Sequence, residues 1–299
     1  MPMYRSLLAA TFVAVCLFAQ LAEAYTIDTR NFRVDASDPR ISQKVAQRAE
    51  KLRKSLALFW LGTELPDWSK KCTIKVHVGG NLPAAGETTF TFHNREVYDW
   101  EMKVQGTEER IYDSVLPHEV THTILASYFR QPVPRWADEG AATFTEADAE
   151  RDKYQRMLHK FLRNHRGIPL DRLFVMEEYP AEPLTLYAQG FSVSEFLIRQ
   201  RGPQFFVRFV ERCMHEQTPL DQIVWELYGY EGLRDLQNDW LEWVGNGSPN
   251  FCESRRIQVV EATFPPTDVI AGSSIPAPQS RNGWVKWRSV NHGLVEEIP

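Results

Sequence analysis

Residues 114–129 read SVLPHEVTHTILASYF and place His118 and His122 four positions apart, with Glu119 directly after the first. On a helix that spacing is about one turn, so the two imidazoles share a face and can converge on one metal ion without distorting the backbone. Glu119 lies about 100° round the axis from His118, beside such an ion and not on it. A carboxylate there can take a proton from a metal-activated water, which is the chemistry of a hydrolytic zinc centre. The bland reading is a solvated helix face. Leu116, Val120, Ile124 and Leu125 argue against it, because they make the helix mostly apolar. A buried face is a costly place for two histidines and a glutamate without a shared partner.

A catalytic zinc takes three protein ligands and keeps one position open. Downstream, RQPVPRWADEGAATFTEADAE turns the chain at its prolines and returns, with Glu139 about five residues into the return helix. A helical hairpin of that size brings Glu139 level with His118 and His122. Asp138 fits equally well as an acid favoured near a helix N-terminus, so only phase and spacing favour Glu139 as the ligand. Gly140, Ala141 and Ala142 are small and allow the second helix to approach the first. Arg135 and Asp138 could orient a ligand carboxylate or form a surface ion pair. Other histidines compete poorly: His77 and His93 sit in strand candidates, His159 and His165 fall on opposite faces of a helix, and His215 and His292 are isolated.

These residues need elements to hold them. Ser37 or Asp38 can cap a helix that begins at Pro39 and ends at Gly62, with Ile41, Val45, Ala49, Leu52 and Leu56 at helical spacing. CTIKVHVGG, TTFTFH and VYDWEMKV follow as strand candidates, the last two joined by a turn at NRE. Residues 107–129 read as one helix in which Pro117 should kink the axis or mark a new first turn. A second helix starts near Arg135, and others are expected at about 149–165, 184–201, 203–216, 219–228 and 231–245. The segment 251–299, with Pro265, Pro266, Pro276 and Pro278, reads as a partly disordered, exposed extension with one strand candidate, RIQVVEATF.

The 299 residues, 43% of them hydrophobic, are enough for one large domain with a real core. A net charge of -5 is mild and lacks the basic surplus of a nucleic-acid binder. At the N-terminus Arg5 precedes an apolar run from Leu7 to Leu21 and then Ala22-Glu23-Ala24, the pattern of a secretory signal cleaved after Ala24. The run is shorter than the roughly 20 residues of a spanning helix, so no stable membrane span is expected after cleavage. Cleavage leaves Cys72, Cys213 and Cys252, an odd number that permits one bridge in an oxidising compartment.

LPHEVTHTIL followed by PRWADEGAA resembles the gluzincin metallopeptidases, and more closely the bacterial peptidase MA-like proteins, in which LYAQGFSVSEFLIRQRG also finds a counterpart. The likeness covers roughly residues 70–245. It implies an α+β, zincin-like fold: a small mixed or antiparallel sheet with an N-terminal helix over residues 25–106, then an active-site helix and a mostly helical region over 107–250, together one catalytic domain. It implies one zinc ion on His118, His122 and Glu139, with Glu119 as general base and acid. It also implies that Tyr187 donates a hydrogen bond to the oxyanion, whereas Tyr112, nearly two turns before the zinc, is less suited. An edge strand in VYDWEMKVQG or TTFTFHN would hold an extended substrate. The expected protein is a secreted or periplasmic zinc metallopeptidase acting on peptides or proteins. A zinc amidase of the cell wall and a non-catalytic envelope binding module are the competing expectations.

Overall fold

The period-two pattern at 72–78 and 85–93 and the helical period at 39–61 each form the element they prescribe. In the computed structural model, which describes residues 24–249 except 177 and 216, and residues 285–289, the chain is a mixed α+β protein. Its strands are β1 (Tyr25–Asp28), β2 (Phe32–Ala36), β3 (Cys72–Val78), β4 (Ala85–His93), β5 (Glu96–Gly106) and β6 (Val285–Arg288). They form one six-stranded sheet in the order β1-β2-β3-β5-β4-β6. β2, β3 and β5 run parallel, while β1, β4 and β6 pair antiparallel with their neighbours. β4 and β5 meet in a hairpin whose two loop residues, Asn94 and Arg95, both take positive φ (50° and 60°), as a tight primed turn requires.

Helix α1 (Pro39–Leu61) is the crossover between the parallel strands β2 and β3. Asp38 caps it by accepting from the Arg40 N–H, and Pro39 opens it. It buries Val45, Ala49, Leu56 and Trp60 against β2 and against the helix that carries His118. Alternating burial along β2 and β4 shows that the sheet has one covered face.

The stretch expected as one helix over 107–129 is helical throughout but in three parts. A single turn, α2 (Glu108–Arg110), leads into a π-helical segment (Ile111–Val115) and then α3 (Leu116–Phe129). The Leu116 N–H reaches back to the Ile111 carbonyl, and Pro117 follows with no N–H to donate. The wider turn thus falls where the proline interrupts the ladder.

After α3, Arg130 in the left-handed region ends the helix and α4 (Arg135–Phe144) returns. α5 (Asp148–Arg163), α6 (Leu170–Leu173), α7 (Pro183–Arg201), α8 (Pro203–His215), α9 (Leu220–Tyr228) and α10 (Leu233–Gly245) follow close to the expected positions, α6 alone being unforeseen. α4 lies closest to α7, not to α3. A Cβ on Gly140 would stand 2.2 Å from Ser194 Oγ, and one on Gly190 would stand 2.7 Å from the Trp136 carbonyl. The small residues of α4 therefore serve that contact. Trp136 stacks on Phe174 and joins Phe206 and Phe209 in the core between α4, α7 and α8.

Two features of the ends differ from expectation or fall elsewhere. β6, within the segment read as a loose extension, is part of the sheet. The leader, RIQVVEATF and Cys252 lie outside the described residues, and Cys72 and Cys213 are not bonded to each other. Among the described residues no helix is long and apolar enough to cross a membrane.

Candidate metal centre

Helix α3 presents His118 and His122 on one face, with ring centroids 4.9 Å apart. The hairpin brings Glu139 from α4 against both: its Oε2 lies 3.5 Å from His118 Nε2 and 3.7 Å from His122 Nε2. The ligand atoms of the three residues all fall within 4.8 Å of one another, a group that could hold a metal ion. All three side chains are wholly buried.

Each is oriented by a neighbour. His118 Nδ1 bonds a Glu146 oxygen at 2.7 Å, and His122 Nδ1 bonds Asp138 Oδ1 at 3.0 Å. A carboxylate only accepts, so Nδ1 carries the proton in each ring and Nε2 is left with its lone pair toward the cluster. Tyr179 donates to Glu139 Oε1 at 2.6 Å and leaves Oε2 facing the two histidines. Glu119 is held in the same way. Its Oε2 accepts from Thr88 Oγ1 at 2.6 Å and from Ser289 Oγ at 3.0 Å, which leaves Oε1 over. The four atoms left over, His118 Nε2, His122 Nε2, Glu139 Oε2 and Glu119 Oε1, are buried without a hydrogen-bond partner. Orphaned buried polar atoms cost free energy, and here one shared cation with a water would satisfy them all.

The charges agree. Four buried carboxylates, Glu119, Asp138, Glu139 and Glu146, face two imidazoles. Burial alone would drive the His118 imidazolium out, yet the carboxylates of Glu139 and Glu146 against it raise its pKa well above the ordinary range. His122 is raised likewise, burial being outweighed by Asp138. The cluster draws in positive charge, which a divalent cation can supply in place of protons. Burial raises the Glu119 carboxyl, against the pull of the two histidines and Thr88. For Glu139 burial is overcome by His118, His122 and Tyr179, and its pKa is lowered.

His118, Glu119, His122 and Glu139 are thus brought together. Asp138 orients His122, and Arg135 lies over the Tyr179 ring at 4.6 Å, so neither forms a surface ion pair with the other. Tyr187 is buried and packs on Tyr179, ring centroids 6.0 Å apart, while the bond to Glu139 is made by Tyr179. Of the two strand candidates for holding substrate, β5 pairs with β3 and β4, and β4 pairs with β5 and β6, so neither has an open edge; β4 is the one that touches Glu119, through Thr88.

Sequence reasoning missed Thr88, Glu146, Tyr179 and Ser289. Glu146 left one cue, since it stands only seven residues past Glu139, just beyond the end of α4. Thr88 and Ser289 are 201 positions apart and left none. Gly86 was missed as well: a Cβ there would lie 2.2 Å from Glu119 Oε1, so only glycine leaves room for that oxygen. No protein-family model matches the chain, and a search of the curated proteins returns no match.

Proposed function

We propose that the protein is an exported zinc metallopeptidase with a zincin-like fold. The observation that supports this most directly is the convergence of three orphaned ligand atoms in one buried cluster, with Glu119, next to His118, carrying a fourth buried orphaned atom, Oε1. Two histidines and one carboxylate form the ligand set of hydrolytic zinc sites. Bound there, zinc would polarise the scissile carbonyl and make water a nucleophile at neutral pH.

The chain supplies the rest. Asp138 and Glu146 keep the Nδ1 protons in place, so both Nε2 atoms stay available as ligands. Glu119 receives the proton of the attacking water on Oε1, while Thr88 holds the other oxygen still. Its burial-raised pKa suits a group that must then give the proton to the leaving amine. Tyr179 fixes Glu139, and Tyr187 beside it is assigned to the developing oxyanion, as the gluzincin resemblance implies. Export rests on the leader ending at Ala24.

The test is zinc analysis of purified protein together with peptide or casein turnover for wild type and Glu119→Gln. One zinc per chain in both, with turnover lowered about 10²- to 10⁴-fold in the variant, is expected for loss of a general base. No zinc, or equal turnover in both, overturns the proposal.

A further inference from the structure

β4 borders the metal cluster through Gly86 and Thr88, and its outer edge is where an extended peptide would add as a strand. That edge is taken by the chain's own β6. The pairing is antiparallel, Phe90 opposite Trp287 and Thr89 opposite Arg288, and Ser289 N–H continues it by donating to the Thr88 carbonyl at 2.9 Å. The strand thus arrives at the catalytic carboxylate, where Ser289 Oγ donates to Glu119 Oε2 at 3.0 Å.

One side chain anchors it. The Trp287 ring lies flat on Phe90, with centroids 4.5 Å apart and planes 3° from parallel, and 5.2 Å from the His122 ring. The Arg135 guanidinium covers it at 4.7 Å and donates to the Arg288 carbonyl at 2.9 Å. At the rim Arg288 pairs with Glu87. Backbone pairing, one buried aromatic and an end at the general base are the contacts of a bound peptide, made here by a segment of the same chain.

We propose that residues 285–289 are a tethered occupant of the substrate-binding edge, which shuts the metal centre until the strand lifts away. This rests on the peptidase reading for its meaning. Because residues 250–284 join the strand to the body, it competes at an effective concentration that a free peptide must exceed. The same contacts name the substrate class: an extended peptide with an aromatic residue in the place of Trp287.

The test uses the full chain carrying Glu119→Gln, in which glutamine keeps an oxygen to accept from Ser289 and hydrolysis is absent. A fluorescent peptide of residues 283–290 is titrated against this chain alone and with Trp287→Ala or Arg288→Glu added. Arg288→Glu changes a largely exposed side chain and sets a second carboxylate beside Glu87, so it loosens the strand without touching the core. The expected result is peptide affinity at least tenfold higher in both variants than in the parent. In the Glu119 protein the same changes raise kcat/KM at least tenfold, and the added peptide inhibits competitively. Equal or absent binding in parent and variants, with melting temperature unchanged in Arg288→Glu, overturns the proposal and makes β6 an ordinary strand of the fold. Absence of turnover in every variant would sink the peptidase reading, and the binding measurement would still decide the fate of the strand.

Discussion

Gly86→Ala separates catalysis from folding at this site. The added Cβ would stand 2.2 Å from Glu119 Oε1 and 2.7 Å from its Cδ and Cγ. Non-bonded contact is near 3.5 Å, so the carboxylate must retreat by about 1 Å. That retreat strains the 2.6 Å bond from Thr88 and shifts Oε1 from the place the fold gives it. Little else has to move, because the obstacle is the end of one side chain and Gly86 lies in an ordinary strand. Displacement of a catalytic group by 1 Å can cost about 10²-fold in rate, or roughly 2.7 kcal/mol of barrier. The assay is kcat on a peptide substrate, with zinc content and melting temperature measured on the same preparation. The expectation is kcat down about 100-fold with zinc retained and melting shifted by no more than a few degrees. A kcat within about twofold of wild type at full zinc occupancy would refute the placement of Glu119 as base.

Asp138→Asn and Glu146→Gln should each weaken zinc binding about 10- to 100-fold, read by competition with a chromophoric chelator, since an amide can turn either face to Nδ1 and no longer fixes the proton there. Unchanged affinity in both would show that the imidazoles are oriented by something else. Zinc affinity should also fall as pH is lowered, because protons and metal compete for the same Nε2 atoms. Burial works against the imidazolium, but Glu139 and Glu146 raise His118, and Asp138 raises His122, so competition begins above the usual histidine midpoint of about 6.5. Calorimetry from about pH 8.5 down to about pH 6 should show the decline already under way at neutrality, and a flat profile would contradict it.

Much of the site could be read before any coordinates because its chemistry is locally encoded. The spacing of His118 and His122 follows from helix geometry alone, and the prolines at 132 and 134 with the turn they force place Glu139 within reach. The hairpin strands β4 and β5 and the capped helix α1 were legible for the same reason: period, cap and turn all act over a few residues. β1 and β2 were not, since they are short and owe their existence to pairing with each other and with β3. The small residues of α4 were legible as a sign of close approach, but not the partner, which is α7.

What the chain determined by itself is therefore the candidate ligand set, the carboxylate beside it, the β4–β5 hairpin and most of the helices, because each depends on contacts between near neighbours. Tertiary structure alone decided the rest. It chose Asp138 and Glu146 to hold the imidazoles and Tyr179 to hold Glu139. It also brought Ser289 and Trp287, from the far end of the chain, onto β4 beside Glu119. Such pairings span tens to hundreds of residues, and no local pattern marks them. They arise because buried polar atoms must find partners wherever the folded chain happens to pass.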